Sequence, residues 1–519
     1  MLKEKFIVYI IIAIIGIYRF LLGSIGNVNW DSAIFLDGIW RVFQGHVPHS
    51  DFSTPIGPVI FFIGNLCVPF TGMSINSFDQ GSVCFYLLIT IFSFHLSRKF
   101  FSSFSSILFT LLVGSYLITP RIIGYPFYTF GYTSYYNFVG YVLLFILILN
   151  LIYGKKNEKG KYYYGFIIGM LSIILFFTKI TFGFSAFFLV IISLLENRFN
   201  KKWTIGILTG FCFMAMIFIY YFSYDLNPVI RDFNIVLLSS SSESNIIIHL
   251  LSLFYNQIIN LNFMSFTFML FPILGVLVLI GLTFRLSEFL KNDLTFSIYL
   301  VFIFFIGIGL MITVNQPPEF IISPFICILM FDWLYKKKNK IDRLTFLIGK
   351  NISLLIIFIF ILNNILSLPV GTYKGIFIDK SKYLDKKDNY GHLNSSYLSK
   401  KNLISYSFLD GIELLNPIIS KKDRISVLGQ NIFSFALEQQ SPKHDLLYWH
   451  NGASFSNKTL LELDYMKGEN IFSETTILMV PRKISHLPYS AIKYYRQYIA
   501  DNFLLHSTSD YWEIYKTIN

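Results

Sequence analysis

The sequence predicts an α-helical polytopic membrane protein with a small α/β domain following its last apolar segment. Three observations predict this class. Of 519 residues, 54% are hydrophobic and only 14% charged, with 57 Phe, which leaves too little polar surface to clothe a water-soluble globule of that size. Apolar runs near the ~20 residues that a bilayer crossing needs recur along most of the chain. Beyond Leu368 the apolar density falls and charge returns.

Met1 to Lys5 is a short basic head on the apolar run Phe6 to Leu22. The run is long for a secretory h-region and lacks an A-x-A cleavage site, so it reads as a spanning anchor with its N-terminus inside. Arg19 near its end is expected to snorkel outward. Further spans are expected at 82–98, 104–120, 138–154, 162–178, 180–196, 203–223, 264–284, 294–314, 319–335 and 345–368, about eleven in all by the ~20-residue criterion.

Charge parity decides whether 56–72 also crosses. If it does not, Arg98/Lys99, Lys155 to Lys161, Arg198 to Lys202, Arg285 to Lys291 and Lys336 to Arg343 all fall inside, as the positive-inside rule requires. If it does, every cluster moves outside. Pro55, Pro58 and Pro69 bracket the segment and fit an outer juxtamembrane helix lying in the interface. The same clusters account for the net charge of +12 without a nucleic-acid partner. The expected organisation is a membrane domain, 1–368, and an extracytoplasmic domain, 369–519, on a multi-pass protein of the bacterial plasma membrane with its N-terminus cytoplasmic.

Four segments then lie outside: Asn27 to Phe78, Thr119 to Asn137, Tyr224 to Phe263, and all that follows Leu368. The second is rich in Tyr and Gly, as an interfacial aromatic belt is. Ser239 to Ser244 reads as a flexible link. In the C-terminal region, ISVLG (425–429) precedes a helical pattern through IFSFALEQQ, and TILMVP (476–481) precedes AIKYYRQYIADNF and YWEIYK. Short apolar strands alternating with amphipathic helices make a small α/β unit. Cys67, Cys84, Cys212 and Cys327 lack metal-ligand spacing and read as buried apolar side chains.

The chemistry concentrates in Asn27 to Pro58, where Asp31, Asp37, Arg41, His46, His49 and Asp51 crowd beside the membrane. Asp37 and Arg41 at i, i+4 read as a solvated structural pair. Asp31 at a helix start fits an N-cap as well as a catalytic acid. His46, His49 and Asp51 have metal-ligating types, but the sequence requires no metal; a divalent ion remains compatible with it.

The order W-D-x-A-x-x-L-x-G, then G-x-x-P-x-x-D-F, then P-x-G-P resembles the first outer loop of the GT-C membrane glycosyltransferases, such as protein O-mannosyltransferases and aminoarabinose transferases. Asp31, Ala33, Leu36, Gly45, Pro48, Asp51, Phe52, Pro55 and Pro58 carry the resemblance. Many members have Asp-Glu where this chain has Asp31-Ser32. The resemblance implies a GT-C-like fold and an inverting transfer of a sugar from a polyprenyl-phosphate carrier to an acceptor hydroxyl on a glycan, lipid or protein, with Asp31 as base. It also implies donor contacts at Lys179, in FFTKITFG, and at Glu319, in PPEFIISP.

Cations near the outer surface would meet the donor phosphate, and Lys179 and Arg121 are placed for it, with snorkelling the plainer role for Lys179. Arg231 is a weaker third. Asp51 and His49 complete the expected substrate contacts. Two other classes compete. An O-antigen-type polymerase or ligase concentrates Arg and His in a large mid-chain outer loop, whereas the acids here come early. A lipid-linked sugar flippase would place ionisable groups at midspan and repeat its halves, and neither pattern is seen in the sequence.

Overall fold

In the computed structural model the residues described are 2–22, 30–119, 121–123, 134–154, 158, 160–241, 266–290, 294–312, 319–377, 389–390, 393–394, 403–482 and 489–518. They divide into two compact units. The first comprises 1–22, 82–218 and 250–372; the second comprises 23–81, 219–249 and 373–519. The C-terminal stretch of the second unit begins at 373, and two earlier stretches belong to that same unit.

The first unit is helical. Every run read as a span falls on a helix: α1 (Leu2–Leu22), α5 (Ser77–Phe100), α6 (Ser103–Ile118), α7 (Tyr135–Leu149), α8 (Lys161–Phe176), α9 (Ile180–Glu196), α10 (Lys201–Tyr221), α12 (Phe271–Leu290), α13 (Leu294–Ile312), α14 (Ser323–Lys337) and α15 (Arg343–Phe377). Among the described residues, 5 helices are long and apolar enough to cross a membrane. A helix satisfies its backbone polar groups internally, so an apolar run can be buried without orphaned donors. Arg19 departs from expectation: its side chain is buried in α1, not snorkelled.

Helices α8 and α10 meet through paired small residues, Gly165 with Gly169 and Gly206 with Gly210. A Cβ on Gly169 would lie 2.1 Å from the Ile207 carbonyl oxygen, and one on Gly210 would lie 2.0 Å from that of Phe166. The two backbones touch only because no side chain intervenes, the small-xxx-small packing of apolar helices.

In the second unit, α2 (Trp30–Phe43) is buried on nearly all sides. Ala33, Leu36 and Trp40, at helical spacing, enter a core with Phe408, Ile412, Phe433, Met479 and Trp512. Its other side meets α3 (Val59–Asn65), where Gly38 lies against Phe61 and Gly64 against Ile39. The juxtamembrane segment is not one helix: α3 is followed by the single turn α4 (Val68–Thr71), and neither is long enough to cross. Pro58 and Pro69 start the two pieces, since proline is tolerated only in a first turn. The Ser-rich stretch also differs: α11 (Asn227–Ser241) runs into it and buries Ser239, while 242–244 lie outside the described residues.

The C-terminal region holds β1 (Asn389–Tyr390) paired with β2 (Leu393–Asn394), helix α16 (Leu403–Leu415), and a four-stranded mixed sheet. The sheet runs β3-β4-β6-β5, with β3 (Ile425–Val427) parallel to β4 (Ile477–Pro481) and the remaining pairs, β6 (Trp512–Thr517) with β4 and with β5 (Phe503–Thr508), antiparallel. The expected IFSFALEQQ helix is only the turn α17 (Phe433–Ala436), because Glu438 takes φ +54° and ends it. Strand β5 went unread because its residues are mostly exposed and follow α20 (Tyr489–Asn502) without a break. Of the cysteines, Cys327 is free and buried as expected, whereas Cys212 is free and exposed and Cys67 and Cys84 are disulfide-bonded, so the reading of all four as simple buried apolar side chains is corrected for these three.

Replacing Gly210 by Ala forces two backbones apart and should lower stability by about 1–3 kcal/mol. Gly281→Ala, where nothing lies within 4 Å, should be neutral or slightly stabilising. Thermal unfolding of the detergent-solubilised protein compares the two.

Candidate functional site

The loop that carries the predicted acids is held by an ion cluster. Arg41 is fully buried; its Nε donates to Asp37 Oδ2 at 2.9 Å and its Nη1 to Asp445 Oδ1 at 2.6 Å and to the Pro442 carbonyl at 3.0 Å. The Asp37–Arg41 pair is therefore structural but not solvated, because Asp445 arrives from the C-terminal region and closes it off. Around it, Trp40 Nε1 donates to the Gln439 carbonyl, Ser53 N to the Asp445 carbonyl and Leu447 N to the Ser53 carbonyl. One guanidinium is shared by two carboxylates. Burial outweighs the attraction of Arg41 and pushes the Asp37 carboxyl up to about 7; Asp445 is raised for the same reason. His46 is lowered to about 4 by burial and by the charge of Arg41.

Helix α2 ends in a Schellman turn: His46 N reaches the Arg41 carbonyl and Gly45 takes φ +88°. Beyond it, Asp51 accepts from Val47 N at 2.8 Å and pairs with Lys443 at 3.0 Å, keeping 19% of its side chain exposed. His49 sits at φ +68°, a left-handed conformation uncommon for a side-chain-bearing residue. Two contacts hold it there. Its carbonyl accepts from Arg231 Nη2, and its Nδ1 lies 2.9 Å from Asp232 Oδ2.

Asp232 is the residue that the sequence reading missed. It is buried in α11 and also accepts from Ser53 Oγ and Thr54 N, each at 2.9 Å. The RD pair at 231–232 was visible, but nothing local showed that the acid would turn inward. His49 Nε2 is buried with no hydrogen-bond partner, and the ring centroid lies 6.1 Å from that of Phe222 and 6.2 Å from that of Phe233. Arg231 lies over the Tyr465 ring, 3.7 Å from its centroid. Asp31 is the second residue of α2 as described; its side chain, with residues 23–29, lies outside the described residues.

The remaining predicted contacts belong to the first unit. Arg121 and Glu319 are both buried and bind each other through two bonds, Nη1 to Oε2 at 2.8 Å and Nη2 to Oε1 at 2.6 Å. Arg121 Nε also donates to Asn364 Oδ1 at 2.9 Å. Two residues expected to meet substrate separately thus neutralise one another. Lys179 is half-buried and donates to Asn137 Oδ1 at 3.1 Å beneath the Tyr136 ring, while Arg121 lies over Phe138, so both cations sit at the first turn of α7. Most of the Tyr-rich second outer segment, at 120 and 124–133, lies outside the described residues.

Among the described residues no group of three or more His, Cys, Asp or Glu side chains is placed to hold a metal, and His49 and Asp51 are engaged by Asp232 and Lys443 instead. Neither a protein-family model nor a curated protein sequence matches the chain.

The two perturbed groups oppose each other in pH dependence. Asp37 has its folded pKa raised, so its contribution to stability is largest near pH 4 and is lost as pH rises through about 7. His46 has its folded pKa lowered, so its contribution is present above about 6.5 and is lost as pH falls towards about 4. Because Asp445 keeps a raised carboxyl in the same cluster, Asp37→Asn should lessen the loss between pH 4 and 7 without abolishing it, so that its melting temperature shifts in favour of pH 7 over pH 4.5 relative to the wild type.

Proposed function

We propose that the protein is an inverting glycosyltransferase of the GT-C type that moves a sugar from a polyprenyl-phosphate carrier to an acceptor hydroxyl at the outer face of a membrane. One observation carries this reading. Of the four segments that charge parity places on a single side, the described residues of 27–78 and 224–263 and those after 372 fall in one compact unit, to which the helix bearing Asp31 belongs, while those of 119–137 fall in the other. Segments on opposite sides of a bilayer could not share the core that joins Ala33 and Trp40 to Phe433 and Trp512. The disulfide-bonded state of Cys67, at the edge of the first loop, suits an oxidising exterior.

In this reading an acceptor hydroxyl, a poor nucleophile, loses its proton to Asp31 as its oxygen attacks the anomeric carbon and the carbon–phosphate oxygen bond breaks on the opposite face. The configuration inverts and the carrier phosphate leaves with the electron pair. Asp51 offers its exposed carboxylate edge to the substrate, and buried His49, fixed by Asp232, holds the loop that carries it. Lys179 supplies charge for the phosphate. Arg121, matched by Glu319, keeps its guanidinium compensated and orients the start of α7, so the ion pair serves positioning first.

Reconstituted protein tested with a polyprenyl-phosphate sugar donor decides the matter. Asp31→Asn should lower kcat by about 100-fold or more, the scale of a lost general base, with donor affinity retained. Lys179→Gln should chiefly raise the donor KM. Undiminished transfer by Asp31→Asn would remove the base from the scheme.

A further inference from the structure

At one end of the first unit the turn after α5 meets the end of α14. Lys336 Nζ donates to the Phe100 carbonyl at 2.8 Å and pairs with Asp332 Oδ2 at 2.6 Å, while Ser102 N donates to Asp332 Oδ1 at 2.9 Å. This joint brings Arg98 and Lys99, at the end of α5, to the same end of the unit as the run from Lys336 to Arg343. Helices α5 and α15 are long and apolar enough to cross a membrane, so the cations fall at the ends of two such crossings. They divide by what they already touch. Lys336 is matched by Asp332, and Arg98 donates to Ser103 Oγ. Lys99, Lys338 and Lys340 are exposed, and none of them has a carboxylate partner among the described residues.

Two of these lysines lie against tyrosine rings instead. Lys99 Nζ is 5.9 Å from the Tyr163 centroid and Lys338 Nζ is 5.1 Å from that of Tyr335, and the two rings are 51% and 47% exposed. Phe104, linked to Tyr335 through ring contacts with Phe331, is exposed as well, as is Leu344. Ammonium groups, half-exposed tyrosines and bare apolar side chains at the end of a crossing follow the order of a phospholipid: phosphate, glycerol, acyl chain. A phosphodiester would supply the countercharge that the lysines lack, whereas an amine in the same head group would be repelled by them. Charge alone does not make this surface, because the basic turn before α10 also exposes Arg198, Lys201 and Lys202, and among the described residues no ring lies beneath any of the three. We propose that this end of the first unit binds phospholipids whose head group carries a phosphate and no amine, with Lys99, Lys338 and Lys340 as the phosphate contacts. The assignment rests on the first unit alone and is independent of the transferase reading.

The test uses the full chain purified in detergent and incubated with phosphatidylglycerol or with phosphatidylethanolamine of the same acyl chains, the lipids retained per chain being counted by native mass spectrometry. The wild type should retain phosphatidylglycerol about fivefold or more in preference to phosphatidylethanolamine. Replacing Lys99, Lys338 and Lys340 together by Gln should weaken retention of phosphatidylglycerol about tenfold or more and leave that of phosphatidylethanolamine unchanged, since each cation at an anionic surface is worth about fivefold in binding. Replacing the same three by Arg should keep the preference. Replacing Arg198, Lys201 and Lys202 by Gln removes equal charge from another turn of the same unit and should also keep it. Equal retention of the two lipids would overturn the proposal, as would an undiminished preference in the first variant or a lost preference in the last. Displacement of phosphatidylglycerol by millimolar inorganic phosphate would overturn it too, because the lysines would then form a site for the free ion and not for a lipid.

Discussion

The Arg41 guanidinium, enclosed between Asp37 and Asp445, is the contact on which the second unit depends. Transfer of a cation and two carboxylates out of water costs several kcal/mol per ion, and their attraction offsets this only when all three remain. Loss of Arg41 would leave two buried acids facing each other. Loss of Asp445 would leave Arg41 with Asp37 and the Pro442 carbonyl, while Trp40 and Gln44 would still bond the Gln439 carbonyl. The interaction therefore specifies which distant segment pairs with the first loop, and the apolar core of Ala33, Leu36 and Trp40 supplies most of the burial.

The same loop carries a second fixed point. His49 in a left-handed conformation costs on the order of 1–3 kcal/mol, and it persists because Asp232 and Arg231 grip its ring and carbonyl together. A buried Nε2 without a hydrogen-bond partner adds a further cost. In the first unit the opposite arrangement holds, because Arg121, Glu319 and Asn364 satisfy one another and stay dry.

Much of this was legible in the sequence. Apolar periodicity located the long helices, since a run that is greasy on every side has few alternatives to helix. The prolines at 58 and 69 marked where the two short helices α3 and α4 begin. What was not legible came from long-range pairing. Nothing near Asp37 announces Asp445, four hundred residues away, so a buried triad read as a surface pair. Asp232 and Asn364 carry no local signal for the side chains they meet, and Arg19 is buried by neighbours that its own helix does not reveal. Strand β5 escaped because an exposed edge strand lacks the alternation that marks a buried one.

The central claim is that the first loop, α11 and the C-terminal region stand together on the outer side. Single cysteines at Ser50, Leu226 and Tyr489, in a chain with Cys212 and Cys327 replaced by Ser, report it directly when intact cells are exposed to a membrane-impermeant maleimide. All three should react in intact cells, and a cysteine at Leu344, beside the basic cluster at 336–343, should react only after permeabilisation. If any of the three needs permeabilisation while another does not, the shared unit cannot exist as described; if all three need it, the unit lies on the side of the membrane opposite to the one proposed.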